Sequence, residues 1–313
     1  MHRHTQCAGA VMMIRPAAFG YNPQTAASNR LQVAEGHDDA DAGRIAIQEF
    51  DAAVTALRGA GVHVCVVEDE PHPPRPDAVF PNNWVSWHAD GTVVLYPMEA
   101  PNRRLERRQV ILEEVAASCG YDIRRVLDLS AYEDQGKYLE GTGSLVLDHI
   151  ARRAYACRSS RTDESLVRHW AALLGYEPIV FDAADAAGAP FYHTNVMLSI
   201  GRRAVVVAAE TLAAADRQRV LTALAQGGRE LIEIDQAQVK GFAGNLLELA
   251  GTDGKTVFAL SASAARVLPS PLRDRLAAAT DRLLPIAIPT IERLGGGSVR
   301  CMLAEVFTSQ TMG

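Results

Sequence analysis

Several patterns that mark common protein classes are missing from this sequence. No apolar run approaches the roughly 18–20 residues that a bilayer-spanning helix needs, so we expect no membrane partner. The formal net charge is −6 and no long run of lysine or arginine occurs, which argues against nucleic acid as the main partner, because phosphate neutralisation needs a clustered basic face. Neither an HExxH motif nor paired CxxC ligands occur, so the sequence predicts no metal.

Aromatic residues and cysteines are both scarce. Aromatic residues make up 6% of the chain, against 48% hydrophobic and 22% charged residues, which is an ordinary composition for a globular protein. The cysteines are odd in number, widely spaced and not preceded by a secretory segment, and they are Cys7, Cys65, Cys119, Cys157 and Cys301. We therefore expect a reducing compartment and a cytoplasmic location.

A pattern of strand, turn, strand, helix and strand recurs along the chain with a period of about 50–60 residues. The first strands of the units are expected to begin near Asn83, Gly143, Asn195, Asn245 and Cys301. The units cover approximately residues 78–128, 138–182, 191–235 and 243–289, and a split unit joins residues 295–309 to residues 8–68. Such a period is typical of solenoids, propellers and arrays, in which one unit cannot bury its own sheet alone.

The split unit favours a closed architecture. It pairs the C-terminal strand with the N-terminal run AVMMIRP, and a sheet built from both chain ends closes a ring without open edges, as in propellers. The sequence therefore predicts one α/β propeller domain over residues 1–313, closed by pairing of the N- and C-terminal strands. The alternative is a plain α/β sandwich whose spacing is coincidental.

Closure would bring the starts of the first strands together at one end of the central axis. The residues expected there carry a thiol, an imidazole, a carboxylate and several amides, and they are Asn83, Glu140, His193, Asn195, Asn245 and Cys301. Cys301 follows three glycines, which let the backbone approach a ligand or take a positive φ, so Cys301 is the candidate nucleophile. The alternative role of Cys301 is that of a small buried hydrophobic residue.

A nucleophilic thiol needs a neighbour that raises its thiolate fraction, because an unperturbed thiol has a pKa of about 8.5. His193 is expected to take this role and to protonate a leaving amine, and Glu140 is expected to fix the histidine tautomer and favour its protonated form. Each signal alone has a structural alternative, because a histidine at a strand start is often structural and LEGTGS, around Glu140, also suits a turn.

The motifs LEGTGS, YHTN and GGGSVRC, with the five ββαβ units, resemble the guanidino-group-modifying enzymes, or penteins, over nearly the whole chain. This superfamily includes arginine deiminase, dimethylarginine hydrolase, succinylarginine dihydrolase and the amidinotransferases. The resemblance implies a five-bladed α/β propeller, no metal or organic cofactor, and a catalytic set that falls on Cys301, His193 and Glu140. It also implies a small amino-acid substrate, and it leaves assembly into a homo-oligomer open.

Two further motifs resemble substrate anchors of the deiminases. RSSRT resembles a stretch whose arginine faces the substrate carboxylate, which implies this role for Arg161. MEAPNRRLE resembles a second such stretch, which implies the same role for Arg104 or Arg103. A guanidinium fork binds a carboxylate through two parallel hydrogen bonds, which gives both assignments physical sense. The alternative for the arginines of residues 103–108 is a solvated helix face.

The sequence departs from the deiminase pattern where that family faces the substrate guanidinium. FPNN and HTN carry Asn83 and Asn195 in place of carboxylates, and EGTGS lacks the acid of the EGGD-like segment. An amide can donate to a C=O and accept from an NH₂, whereas a buried unpaired carboxylate costs several kcal/mol. The pocket is therefore expected to suit a neutral ureido group better than a guanidinium.

The segments RPAAFGYN, FPNNW and GFAGN together resemble a citrulline-hydrolase branch of the superfamily. The resemblance implies hydrolysis of the ureido group of citrulline or a near relative to an ornithine-like amine, carbon dioxide and ammonia, through an S-carbamoyl intermediate. Asn83, Asn195 and Asn245 are the expected substrate-binding amides. The enzymatic alternative is guanidino hydrolysis or amidino transfer, and the alternative from another class is a non-catalytic ligand-binding propeller.

Overall fold

The computed structural model of the protein describes residues 5–34 and 39–307. In this part of the chain, fifteen short strands form one six-stranded sheet and three three-stranded sheets. The six-stranded sheet consists of two three-stranded units that are joined by a single parallel bridge between Val306 and Trp87. The protein is therefore an α/β protein built from three-stranded units.

All the three-stranded units share one topology, in which the first strand is antiparallel to the second and the second is parallel to the third. In chain order the strands are β1 (Ala10–Arg15), β2 (His63–Glu68), β3 (Val85–Trp87), β4 (Thr92–Leu95), β5 (Arg125–Asp128), β6 (Val146–Asp148), β7 (Arg153–Cys157), β8 (Glu177–Phe181), β9 (Leu198–Ile200), β10 (Ala204–Val207), β11 (Glu230–Glu233), β12 (Leu247–Ala250), β13 (Thr256–Ser261), β14 (Arg282–Ile286) and β15 (Ala304–Val306).

Helices connect the second strand of each unit to the third, as parallel pairing requires. In chain order the helices are α1 (Asp39–Gly59), α2 (Pro101–Arg104), α3 (Val110–Cys119), α4 (Gly141–Ser144), α5 (Glu164–Leu174), α6 (Ala214–Ala225), α7 (Gln236–Lys240), α8 (Ala262–Val267), α9 (Ser270–Ala278) and α10 (Pro289–Gly295). The connecting helices are α1, α3, α5, α6 and α9, and the others are short.

The two ends of the described chain meet in one sheet. Strand β15 pairs antiparallel with β1, with Ala10 opposite Val306 and Met12 opposite Ala304, and β1 pairs parallel with β2. The predicted pairing of AVMMIRP with the strand after Cys301 is therefore present.

The middle strands carry the core. Every residue of β4 (TVVL), β10 (AVVV) and β13 (TVFALS) is buried, as expected for strands covered on both faces, which read as continuous apolar runs. The connecting helices contribute one apolar face each. In α5 the N-cap Asp163 accepts from the backbone N–H of Leu166, the helix ends at Gly175 with φ 71°, and Trp170 on its inner face is fully buried.

The first strands begin later than the sequence predicts. Asn83, Asn195 and Cys301 lie in 3₁₀ turns, Pro81–Asn83, Thr194–Val196 and Val299–Met302, and Gly143 lies in α4, while the strands proper follow and have three residues each. Three residues are too few to show an alternating pattern, so the sequence does not separate the turn from the strand.

The connection between β4 and β5 contains two helices, α2 and α3. Helix α9 ends at Ala278, and the residues after it form β14.

Candidate active site

The helical turns that precede the first strands place their side chains around one cavity. Asn83, His193 and Cys301 come from three different turns, and all three line this cavity together with Arg103 and Arg161. The sequence predicted that residues near the first strands would converge, and for these side chains the structure shows the convergence.

The glycines before Cys301 are required by close packing and by backbone conformation. A Cβ on Gly295 or Gly297 would lie 2.7 Å or 2.9 Å from the ring of Phe80, and Gly296 has φ 62° where it ends α10. A larger residue at Gly295 or Gly297 would displace Phe80, and one at Gly296 would strain the turn. The segment therefore packs against Phe80, which lines the cavity, more closely than a side chain would permit.

Two asparagines direct N–H groups at the thiol of Cys301. The Nδ2 atoms of Asn245 and Asn195 lie 3.4 Å and 3.6 Å from Sγ. Asn245 also accepts at Oδ1 from the backbone N–H of Arg300, and because that group only donates, the Nδ2 of Asn245 must face the sulfur. N–H donors stabilise the negative charge of an attacking thiolate. Asn195 and Asn245, expected to bind substrate, therefore contact the candidate nucleophile.

Glu140 and His193 form a buried pair. The carboxylate Oε2 lies 2.8 Å from Nε2 of His193, and Glu140 is fully buried. Burial alone would raise the pKa of Glu140, but Arg161, the bond to His193 and Arg103 outweigh burial and hold this pKa well below its usual range. Because an ionised carboxylate only accepts, Nε2 carries the proton and Nδ1 is left as an unprotonated acceptor.

Burial lowers the pKa of His193 to about 4, against the opposing effect of Glu140. Glu140 favours the protonated form, as expected, but burial has the larger effect, so His193 is neutral near pH 7. A neutral imidazole can accept the thiol proton and later return it.

The side-chain amide of Asn83 has a hydrogen-bond partner at its oxygen but none among the described residues at its nitrogen. Its Oδ1 accepts from Nη1 of Arg103 at 2.9 Å, and its buried Nδ2 has no partner among the described residues. The free Nδ2 lies beside His193, because a Cβ on Gly143 would be 2.5 Å from Nδ2 of Asn83 and 2.7 Å from Nδ1 of His193. The Oδ1 of Asn195, which contacts Cys301 but does not line the cavity, is likewise buried without a partner among the described residues. The cavity therefore borders on the unused donor of Asn83.

Arg103 rather than Arg104 lines the cavity. Arg103 is buried and donates two hydrogen bonds of 2.9 Å to the carboxylate of Glu106. Burial raises the pKa of Glu106 to about 7 despite this contact. Arg104 instead donates to the carbonyl of Met98 at 3.0 Å and pairs with Glu133 at 3.4 Å. Adjacent helical residues point about 100° apart, so only one of the two can face the site.

Arg161 is covered by the loop of residues 22–34, here called the covering loop. Its guanidinium donates to Oγ of Ser28 at 2.7 Å and 3.0 Å and to the carbonyl of Thr25 at 3.0 Å, and it stacks over the ring of Tyr192. The contacts with Ser28 and Thr25 therefore hold the covering loop against Arg161.

Asp77 is a cavity residue that the sequence analysis missed. It is buried, its Oδ2 accepts from Asn22 at 2.7 Å and lies 3.7 Å from Arg103, and its Oδ1 has no partner among the described residues. The available signal was an acidic residue opening the otherwise apolar run DAVF ahead of Asn83.

The described residues contain no cluster of potential metal ligands and no helix of membrane-spanning length and hydropathy.

The sequence of the chain matches a family model described as "N,N dimethylarginine dimethylhydrolase, eukaryotic" over residues 15–308. The chain belongs to this family. Membership in the dimethylarginine dimethylhydrolase family makes the protein a hydrolase of carbon–nitrogen bonds within the guanidino-modifying superfamily. The expectation of that superfamily is confirmed. A search of curated protein sequences found no match.

Solved structures of the same superfamily share the fold. The N-terminal domain of ArgZ, an arginine dihydrolase from cyanobacteria, has a TM-score of 0.73 at 16% identity, over 96% of this chain and 98% of that domain. A dimethylarginine dimethylaminohydrolase has a TM-score of 0.64 at 17% identity, over 95% of this chain and 98% of its own. At such identities these structures establish the fold of this dimethylarginine dimethylhydrolase family member, and they leave the citrulline-hydrolase branch as a proposal.

Proposed function

We propose that the protein hydrolyses the ureido group of citrulline or a near relative. The observation that carries this proposal is the unpaired Nδ2 of Asn83, which needs an acceptor. A ureido oxygen supplies that acceptor, whereas a guanidinium has only donors. Leaving a buried donor unpaired costs about 1–3 kcal/mol, which is enough to favour one head group over the other by at least several-fold.

The charges around the cavity support a neutral head group. Glu140 is already shared by His193 at 2.8 Å and Arg161 at 3.4 Å, and Glu106 is held by Arg103. A substrate guanidinium beside Arg103 would meet a further cation, and Oδ1 of Asp77, a carboxylate oxygen of the cavity without a partner among the described residues, suits the α-ammonium group instead. The free Oδ1 of Asn195 can accept from the ureido NH₂, so the two asparagines match both faces of that group.

In the proposed reaction, Nδ1 of His193 accepts the thiol proton as Sγ of Cys301 attacks the ureido carbon. The proton then passes to the δ-nitrogen of the substrate, the bond between carbon and this nitrogen breaks, and ornithine leaves. An S-carbamoyl enzyme remains. His193 next accepts a proton from water, whose oxygen attacks the same carbon, and the thiol leaves with the returned proton. The carbamic acid formed decomposes to carbon dioxide and ammonia.

The main-chain groups of the substrate have partners at the other end of the cavity. Arg161 offers a fork to the α-carboxylate once Ser28 and Thr25 give way, and the free Oδ1 of Asp77 suits the α-ammonium group. Arg103 fixes Asn83 and is a positioning residue. Arg104, outside the cavity, has no contact with substrate in this scheme.

The second candidate is hydrolysis of a guanidino group, which the family model and the arginine dihydrolase structures favour. The test is a comparison of kcat/KM for citrulline, arginine and dimethylarginine, with a mass spectrum of acid-quenched protein. Preference for citrulline and a carbamoyl adduct on Cys301 support the proposal. Preference for arginine or dimethylarginine, with an amidino adduct, replaces it by the second candidate.

We also infer that the units form one five-bladed propeller domain over residues 1–313, in which sheets with the same topology surround the site. This inference is supported by contacts between first strands of successive units, namely β15 with β3, β6 with β9 and β9 with β12. All five cysteines are free thiols, which suits a reducing compartment.

A further inference from the structure

A second cavity borders the covering loop, and its volume is about 280 Å³. Ser28 and Leu31 of that loop line this rear cavity, whereas Asn29 between them lines the catalytic cavity. Tyr192 lines both. Residues 28–31 and Tyr192 therefore form a thin wall between two cavities.

The wall is attached to the catalytic residues. Ser28 receives both hydrogen bonds from Arg161, and Nδ2 of Asn29 donates to the carbonyl of Gly295 at 3.1 Å, next to the glycines that precede Cys301. The hydroxyl of Tyr192 donates to the carbonyl of Gly296 at 2.6 Å. In the proposed function a substrate carboxylate replaces Ser28 on Arg161, so the loop shifts at each substrate exchange, and the inference below rests on that role of Arg161. The rear cavity is open space against that loop.

The rear cavity combines positive charge with apolar walls. Arg30 and Lys240 line the rear cavity together with the carboxylate of Asp185. Arg30 is 63% exposed and lies 3.6 Å from Asp185, whose other oxygen already accepts two backbone N–H groups. Lys240 makes no ion pair within residues 5–34 and 39–307. Leu31, Phe191 and Val239 supply apolar surface beside these cations. This combination suits an anion with an apolar body.

We propose that the rear cavity is a regulatory binding site for a small carboxylate with an apolar or aromatic body. Its occupant fills the space into which the covering loop would move, so the loop stays over Arg161 and substrate exchange slows. Because substrate binding moves the loop into that space, the occupant and the substrate exclude each other although they use different cavities, so the occupant raises KM and high substrate relieves the inhibition.

Binding is tested by titrating the full chain with 3-phenylpropionate in a calorimeter, and 3-phenylpropionamide serves as the uncharged probe. Ala189 lines the rear cavity, so Ala189→Trp should fill it and abolish binding. Lys240→Glu should weaken binding at least tenfold, and Lys255→Glu, an exposed lysine outside the cavity, should bind as wild type does. Melting curves check that each variant is folded.

In turnover assays with the best substrate, 3-phenylpropionate should raise KM in wild type at unchanged kcat and leave Lys240→Glu unaffected. The proposal is overturned if wild type shows no saturable binding, if Lys240→Glu binds equally well, or if Ala189→Trp is inhibited as strongly as wild type, which would place the probe in the catalytic cavity. Calorimetry needs no turnover, so this outcome is independent of whether citrulline is the substrate.

Discussion

In the proposed function, the side-chain amide of Asn83 determines which head group the cavity accepts. Arg103 fixes its oxygen, and its nitrogen beside His193 has no partner among the described residues. The same atoms in an aspartate would present an acceptor to the substrate. In this proposal one atom therefore separates a site for a C=O from a site for a cation.

Asn83→Asp should keep the contact with Arg103 and replace the free donor by an acceptor. We expect kcat/KM for citrulline to fall at least tenfold, about 1.4 kcal/mol, and the ratio of citrulline to arginine turnover to move toward arginine. Steady-state kinetics with both substrates measures the ratio. Gln218→Glu, an exposed amide on α6, is the matched control and should leave the ratio unchanged. An unaltered ratio in Asn83→Asp would remove Asn83 from specificity.

Arg161 and Arg104 are expected to respond differently to the same truncation. Arg161→Ala removes the guanidinium that the covering loop contacts and that is proposed to bind the substrate carboxylate. Loss of a buried charged partner costs about 2–5 kcal/mol, so KM should rise at least tenfold. Arg104→Ala removes a contact with Met98 and Glu133 outside the cavity and should leave KM within about twofold. If Arg104→Ala raises KM as strongly, the second anchor lies on Arg104.

At the scale of elements, the site depends on helical turns that precede very short strands. The sequence predicted which segments would converge, because Asn83, Asn195 and Cys301 recur at one place in the repeat. It did not predict the turns, the choice of Arg103 over Arg104, or Asp77, because these depend on how α2 packs under residues 77–83. Such packing is tertiary, and neither periodicity nor spacing records it.

His88, which follows β3, lies where α5 packs against the neighbouring sheet. The ring bonds Ser86 at 2.8 Å and lies 5.8 Å from Trp170, and burial lowers the pKa of His88 to about 4, with Asp90 opposing and Arg152 and Arg125 assisting. Between about pH 6.5 and pH 4 the unfolded chain binds this proton and the folded chain does not, so stability falls as pH falls.

His88→Gln should remove part of that acid sensitivity. From pH 6.5 to pH 4.5, the unfolding free energy of wild type should fall relative to the variant by roughly 1 kcal/mol per pH unit. Urea unfolding at several pH values measures the difference. His193 contributes in the same direction and Glu106, with its raised pKa, in the opposite one, but both are common to the two proteins and cancel. Parallel stability curves would show that His88 is not buried as neutral imidazole.

At the scale of the whole molecule, one sheet combines strands from both ends of the described chain. Ala10 lies opposite Val306, and β15 also bridges to β3, so two units depend on this pairing. A chain whose ends are neighbours can be joined there and opened elsewhere without loss of contacts.

A circular permutant that joins the ends through a flexible linker and begins at Gly228 should therefore remain active. Gly227 and Gly228 form an exposed turn between α6 and β11, far from the site in sequence. We expect kcat/KM within a few-fold of wild type and one thermal transition, measured by kinetics and circular dichroism. A second permutant opened between Gly296 and Gly297 frees the turn that holds Cys301 and should be inactive. Loss of activity in the first permutant would show that the sheet does not tolerate a covalent link between the chain ends.

The pairing of β1 with β15 also has a consequence for the order of folding. Its partners are separated by nearly the whole described chain, and closing a loop of about 300 residues costs about 5 kcal/mol of chain entropy, whereas the contiguous units close much shorter loops. Contiguous units should therefore form early and the sheet beside Cys301 late, which makes folding slow. Since Asn195, Asn245 and Cys301 meet only when that sheet is in place, the thiol acquires its donors at the end of folding and an incomplete chain carries no assembled nucleophile.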